Sequence, residues 1–177
     1  PEDKPLNGNS TAMSRANVLN LSSALGGRNL KGKGVVIGVG DNADLQYHID
    51  FNGRLITRAA AGGIFAHGLH VAGITGGAGI KEELYTGYAP KSTLLSQSFS
   101  NVIVNSPAYV QDYGMVLTNN SYGSIVGDCN YMGLYDLYSR ILDSMALQLP
   151  SLQNVFAAGN DGLFACSYYP PGFGTVL

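Results

Sequence analysis

Charge is scarce in this chain. Asp, Glu, Lys and Arg make up 12% of its 177 residues, and the net charge is −2. So small a balance leaves no electrostatic footprint for nucleic acid or an anionic membrane. Long apolar runs are absent too, and none approaches the roughly 20 residues that span a bilayer. Cysteine is limited to Cys129 and Cys166, whose spacing matches no zinc or redox motif. Both lie in loop-like stretches and read equally as two free thiols or as one disulfide. The disulfide would close a loop worth about 3–4 kcal/mol in the chain-entropy account and would agree with an extracellular setting. No secretory signal leads the chain, and Pro1 is no initiator, so a processed or trimmed start is expected. No internal repeat and no second domain is visible.

What is present is glycine, 24 residues of it, in a chain long enough for one domain with a sizeable core. Low charge and many glycines favour a fold with tight turns over a disordered tail. Residues 1–10 read as a polar arm. Thr11 to Leu25 has helical character and stops at Gly26-Gly27, a C-cap signal. Residues 1–29 thus form an arm and helix ahead of a domain over 30–177. Val35 to Val39 is a short apolar run between glycines, as expected of a buried parallel strand. Thr93 to Ser96, Met115 to Asn119 and Val155 to Ala158 read as further strands. His67 to Ile74 reads as a tightly packed helix of small residues. The clearest helix is Leu134 to Leu149. Its residues Leu134, Leu137, Tyr138, Ile141, Leu142, Met145 and Leu149 recur on one face, predicted to be core, before Pro150. Strands alternating with helices predict an α/β fold: a mostly parallel sheet flanked by helices in three layers.

In open parallel sheets, functional groups gather at the carboxyl ends of strands. Asp41, Ser121 and Asn160 follow predicted strands closely, and His67 opens a predicted helix. A catalytic histidine needs a buried carboxylate on one ring nitrogen to fix its tautomer and stabilise its imidazolium form. Asp41 suits that role. Gly68, after His67, allows close backbone approach. Asn160, in the turn Gly159-Asn160-Asp161-Gly162, can aim its amide at a developing oxyanion. Losing such a donor costs about 3–4 kcal/mol of transition-state stabilisation.

These blocks resemble, in order, those of the subtilisin-like serine proteases. Gly34-Val35-Val36-Ile37-Gly38-Val39-Gly40-Asp41 resembles the aspartate block, and His48-Ile49-Asp50-Phe51 the His-Pro-Asp-Leu that follows it. His67-Gly68-Leu69-His70-Val71-Ala72-Gly73 is similar to the His-Gly-Thr-His-Val-Ala-Gly block. Gly87-Tyr88-Ala89-Pro90 is similar to Gly-Val-Ala-Pro, Asn120-Ser121-Tyr122-Gly123 to the Asn-x-Ser-x-Gly substrate strand, and Ala157-Ala158-Gly159-Asn160 to the oxyanion block. The resemblance implies Asp41 as triad acid, His67 as general base and Asn160 as oxyanion donor. It implies that Ser121, Tyr122 and Gly123 line the pocket for the side chain before the scissile bond. Ala158 and Gly159 would form the opposite wall, and the peptide would add as a strand beside Ser121. His70 is expected to be a packed structural histidine, and His48 a surface or packing residue. The implied protein is a secreted, monomeric endopeptidase acting on polypeptides, with no cofactor needed for catalysis.

The family's serine lies in a Gly-Thr-Ser-Met-Ala-like block after the oxyanion loop, and these 177 residues contain no such block. The expectation is a catalytic domain incomplete at its C-terminus, inactive as it stands. Asn42 and Ala43 replace the usual Thr or Ser and Gly after the acid, Leu69 replaces Thr, and Ile49 replaces Pro. Some members hold structural calcium. Asp50 aligns near one such site, and one carboxylate is too little to claim a metal.

Three other readings compete. Gly38-x-Gly40-x-x-Ala43 has the form of a dinucleotide fingerprint. However, no acidic residue stands about 20 residues on to hold a ribose, and Asp41 would repel a pyrophosphate. His67 and His70 sit three apart on a helix face, but the glutamate of HExxH is missing. The remaining rival is a catalytically dead relative that only binds peptides.

Overall fold

The computed structural model describes residues 7–46, 48–58, 62–63, 65–123 and 135–159. The alternation of apolar residues and glycine in Val36–Asp41 makes strand β1, buried on both faces. Ile37 and Val39 point to one side, Gly38 and Gly40 to the other. Leu55–Thr57 forms β2, Thr93–Ser98 β3, Met115–Asn120 β4 and Gln153–Phe156 β5. All pair in parallel, in the order β2-β3-β1-β4-β5. Asp41 therefore ends the middle strand of the sheet.

Helix α3, Ala66–Gly76, packs on the Ile37 and Val39 side. There Ile37, Val39, Ala43, Leu45, Phe51, Ala72 and Leu94 form one buried cluster. On the other side lie α4 (Asn101–Val104), α5 (Ser106–Tyr113) and α6 (Leu137–Gln148). Leu95, Val102, Ile103, Tyr109, Met115, Met145 and Leu152 make the second cluster. Two cores separated by one sheet give the expected three layers. A β-carbon on Gly38 would lie 2.7 Å from Met115 Sδ and 2.8 Å from Val102 Cγ2. The glycines of β1 thus let α4 lie directly against the strand that carries Asp41.

Several expectations need correction. The helix expected over Thr11 to Leu25 is broken into α1 (Asn7–Met13), α2 (Ala16–Asn20) and a 3-10 turn, Ser23–Leu25. Arg15, at φ 59°, makes the break. Residues 7–10 belong to α1 rather than to an arm. Gly26, at φ 79°, does cap the end as expected. Strand β5 begins and ends two residues before the expected Val155 to Ala158. The apolar stripe of α6 is only partly core. Met145 is buried and Tyr138, Leu142 and Leu149 are half-buried, but Leu137 is 72% exposed and Ile141 is exposed too. Leu134 lies outside the described residues, as do Cys129 and Cys166.

Candidate active site

Strand β1 delivers Asp41 to the carboxyl edge of the sheet, and the first turn of α3 delivers His67 to the same place. His67 Nδ1 lies 3.0 Å from Asp41 Oδ1. A carboxylate only accepts, so Nδ1 carries the proton and Nε2 is the basic nitrogen. The same Oδ1 accepts the backbone N–H of Asn42 at 2.8 Å. Asp41 is 3% exposed, whereas the His67 side chain is 61% exposed. A buried anion thus orients a base whose ring opens to solvent.

The glycine after His67 has a steric reason. A β-carbon at Gly68 would sit 2.7 Å from Ala43 Cβ, 2.9 Å from Ala43 N and 3.0 Å from Asp41 Oδ1. Only glycine lets the helix start approach the turn after β1 this closely. Ala43 fits in this turn because Gly68 leaves the room.

Ser121, Tyr122 and Gly123 continue from β4, and Ala157, Ala158 and Gly159 continue from its neighbour β5. Asn120 locks the two exits together. Its carbonyl accepts from Ala157 N at 3.0 Å, and its buried amide donates to Val155 O at 3.1 Å and to Thr118 Oγ1 at 2.9 Å. Both segments leave the same sheet edge that holds Asp41, as two flanking walls would. Ser121 is half-buried and its hydroxyl accepts from Asn119 Nδ2 at 3.0 Å. Gly123, Ala158 and Gly159 are exposed. Gly159 has φ 99°, a left-handed conformation that favours glycine. Asn160, Asp161 and Gly162 lie outside the described residues.

Tyr122 belongs to an aromatic cluster that sequence reading did not find. Its ring meets Phe99 edge-on at 5.7 Å and Phe156 at 6.3 Å, and its hydroxyl bonds to that of Tyr138 at 2.8 Å. Burial, then the bond to Tyr138, pushes its pKa well above the usual phenol value. Phe99, at φ 39°, follows β3 and donates its N–H to Asp41 O at 3.3 Å. The cluster therefore borders the acid's own strand end. No spacing in the sequence joins residues 99, 122, 138 and 156; the parallel strand order brings them together.

His70 is exposed rather than packed, and His48 is exposed with its ring 5.3 Å from Phe51. His48 Nδ1 accepts the Asp50 N–H at 3.3 Å and so caps the turn Ile49–Phe51. Among the described residues, no three His, Cys, Asp or Glu side chains converge as a metal site. Asp50 does not fit calcium. Its two carboxylate oxygens accept from Gly79 N at 3.2 Å and Ile80 N at 3.1 Å. That loop presents donors, where a cation requires acceptors.

The model of the subtilase family (Peptidase_S8) matches residues 32–176. No curated protein matches the chain. Among solved structures, the Clostridium perfringens CspB protease superposes with a TM-score of 0.66 at 19% identity, covering 84% of this chain and 40% of that one. The chain thus spans about two fifths of that neighbour's length, and the likeness is one of fold. Given the matched family model and the parallel sheet carrying Asp41 beside His67, the chain belongs to the subtilase family, a family of serine proteases.

Proposed function

We propose that this chain supplies the acid, base and oxyanion portions of a serine endopeptidase acting on polypeptides. The observation that carries this reading is the 3.0 Å contact between the buried Asp41 carboxylate and the exposed His67 ring at the sheet's carboxyl edge. The serine would come from outside these 177 residues. His67 Nε2 would take its proton as Oγ attacks the scissile carbonyl. Asp41 would stabilise the imidazolium formed. His67 would then return the proton to the leaving amine, and water would release the acyl group. Asn160 is assigned the oxyanion. Ser121, Tyr122 and Gly123 are assigned one wall of the substrate pocket, and Ala158 and Gly159 the other. The exits of β4 and β5 support that pairing.

The reading needs no cofactor for catalysis. It places the protein outside the cell, where subtilases often act, as a monomer. The exits of β4 and β5, as two walls for an extended peptide, would equally serve a second reading, a relative that binds peptides without cutting them. A fluorophosphonate probe on the intact protein separates the two. Covalent labelling that disappears in His67→Ala supports the protease. Peptide binding without labelling supports the binder.

A further inference from the structure

The end of α3 leaves four carbonyls, those of Ile74, Thr75, Gly76 and the capping Gly77, without helical partners. Backbone meets three of them: Tyr88 N bonds Ile74 O at 2.8 Å, Ala89 N bonds Thr75 O at 2.9 Å and Gly87 N bonds Gly77 O at 2.9 Å. The fourth is met by a side chain. Arg54 Nη2 donates to Gly76 O at 2.8 Å. The same nitrogen bonds Asp50 O, and Nη1 donates to Ser92 O at 2.5 Å. One half-buried guanidinium thus joins the end of α3, the turn before β2 and the entry to β3. Its positive charge also suits the negative end of a helix.

The other end of α3 carries His67 against Asp41 and Gly68 against Ala43. The helix is therefore held at its start by Asp41 and at its end by the backbone of residues 87–89 together with Arg54, the side chain that ties this end to the turn at Asp50 and the entry of β3. Its 11 residues span about 16 Å at about 1.5 Å each. Gly68 leaves no slack at the front, with its virtual β-carbon 2.7 Å from Ala43. The remaining freedom is a slide or tilt that withdraws His67, and the tie at Gly76 opposes that motion.

We infer that Arg54 is a positioning residue for His67: by holding the C-terminal carbonyl of α3 to the turn at Asp50 and the entry of β3, it sets the His67–Asp41 hydrogen bond. The inference rests on the reading of His67 as base. Lysine cannot replace arginine fully, because one ammonium does not reproduce a planar fork reaching three carbonyls.

The test uses the intact protein with Arg54→Met and Arg54→Lys, and Met145→Ala as a destabilised control on the far face of the sheet. The main readout is the low-field proton resonance of His67 Nδ1–H, which needs no turnover. Arg54→Met should broaden or lose that signal, and Arg54→Lys should retain part of it. Met145→Ala should lower Tm yet keep the signal. Where peptide hydrolysis is measurable, Arg54→Met should lower kcat far more than it changes KM. A displacement of about 1 Å costs about 10²-fold. The inference is overturned if Arg54→Met keeps the wild-type resonance while its Tm falls as in the control. Should Arg54→Met not fold, a wild-type resonance in Arg54→Lys at reduced Tm overturns it equally. If the wild type shows the resonance but no hydrolysis, the protease reading fails while the positioning test still stands.

Discussion

Replacing Gly68 by alanine sets two known effects against each other. In a helix interior, glycine to alanine ordinarily stabilises by about 0.5–1 kcal/mol. Here the added methyl would lie 2.7 Å from Ala43 Cβ and 2.9 Å from Ala43 N. Carbon atoms pack at about 3.5–4.0 Å, so α3 must retreat by on the order of 1 Å. The obstacle is backbone and a stub side chain, neither of which can swing aside. Overpacking of this kind costs about 1–3 kcal/mol, so the clash wins by roughly 1–2 kcal/mol. At about 2–4 °C per kcal/mol, Tm should fall by about 2–8 °C. The retreat also lengthens the 3.0 Å bond between His67 and Asp41. Gly73→Ala, in the same helix, is the matched control, because a β-carbon there meets nothing within 4 Å. It should raise stability by about 0.5–1 kcal/mol. Thermal melts of both variants check the reasoning, and a Gly68→Ala protein as stable as Gly73→Ala would refute it.

The remaining predictions address acid, phenol, core and metal. Asp41→Asn should keep the fold but lower kcat by about 10⁴-fold, since an amide holds the imidazole in the wrong tautomer; steady-state peptide hydrolysis by the intact protein reads this. Burial raises the phenol pKa values of Tyr122 and Tyr109, so the unfolded chain ionises first as pH rises past about 10. That stability is complete below pH 10 and is lost above it, and denaturant melts against pH should show Tyr122→Phe with a shallower alkaline decline. Leu94→Ala, at a site with no exposed surface, should cost about 2–5 kcal/mol by urea unfolding. Asp50 accepts from the N–H groups of Gly79 and Ile80, so Asp50→Asn should leave the response of Tm to chelator or added calcium as it is in the wild type.

The central elements were legible because glycines punctuate them. Val36–Asp41 and Ala66–Gly76 carry both the packing pattern and the site, and their register brings Asp41 to His67. What escaped was short or lacked a pattern. Strand β2 has three residues on the sheet edge, too few for a period to show. Helices α4 and α5, of 4 and 8 residues, are too short for a helical period to show, although Pro107 at the start of α5 was a usable signal. The stripe on α6 marked a face able to be buried, and periodicity cannot say what covers it. Leu137 and Ile141 of that stripe remain exposed. Arg54 escaped because a cap made by a side chain 22 residues from its carbonyl leaves no local trace.

The most direct test of the account is covalent labelling of the intact protein by a fluorophosphonate, followed by mapping of the modified residue. The account predicts one labelled serine, outside residues 1–177, with labelling lost in both His67→Ala and Asp41→Ala. Labelling that survives the loss of His67, or an intact protein that binds peptides and takes no label, would contradict it.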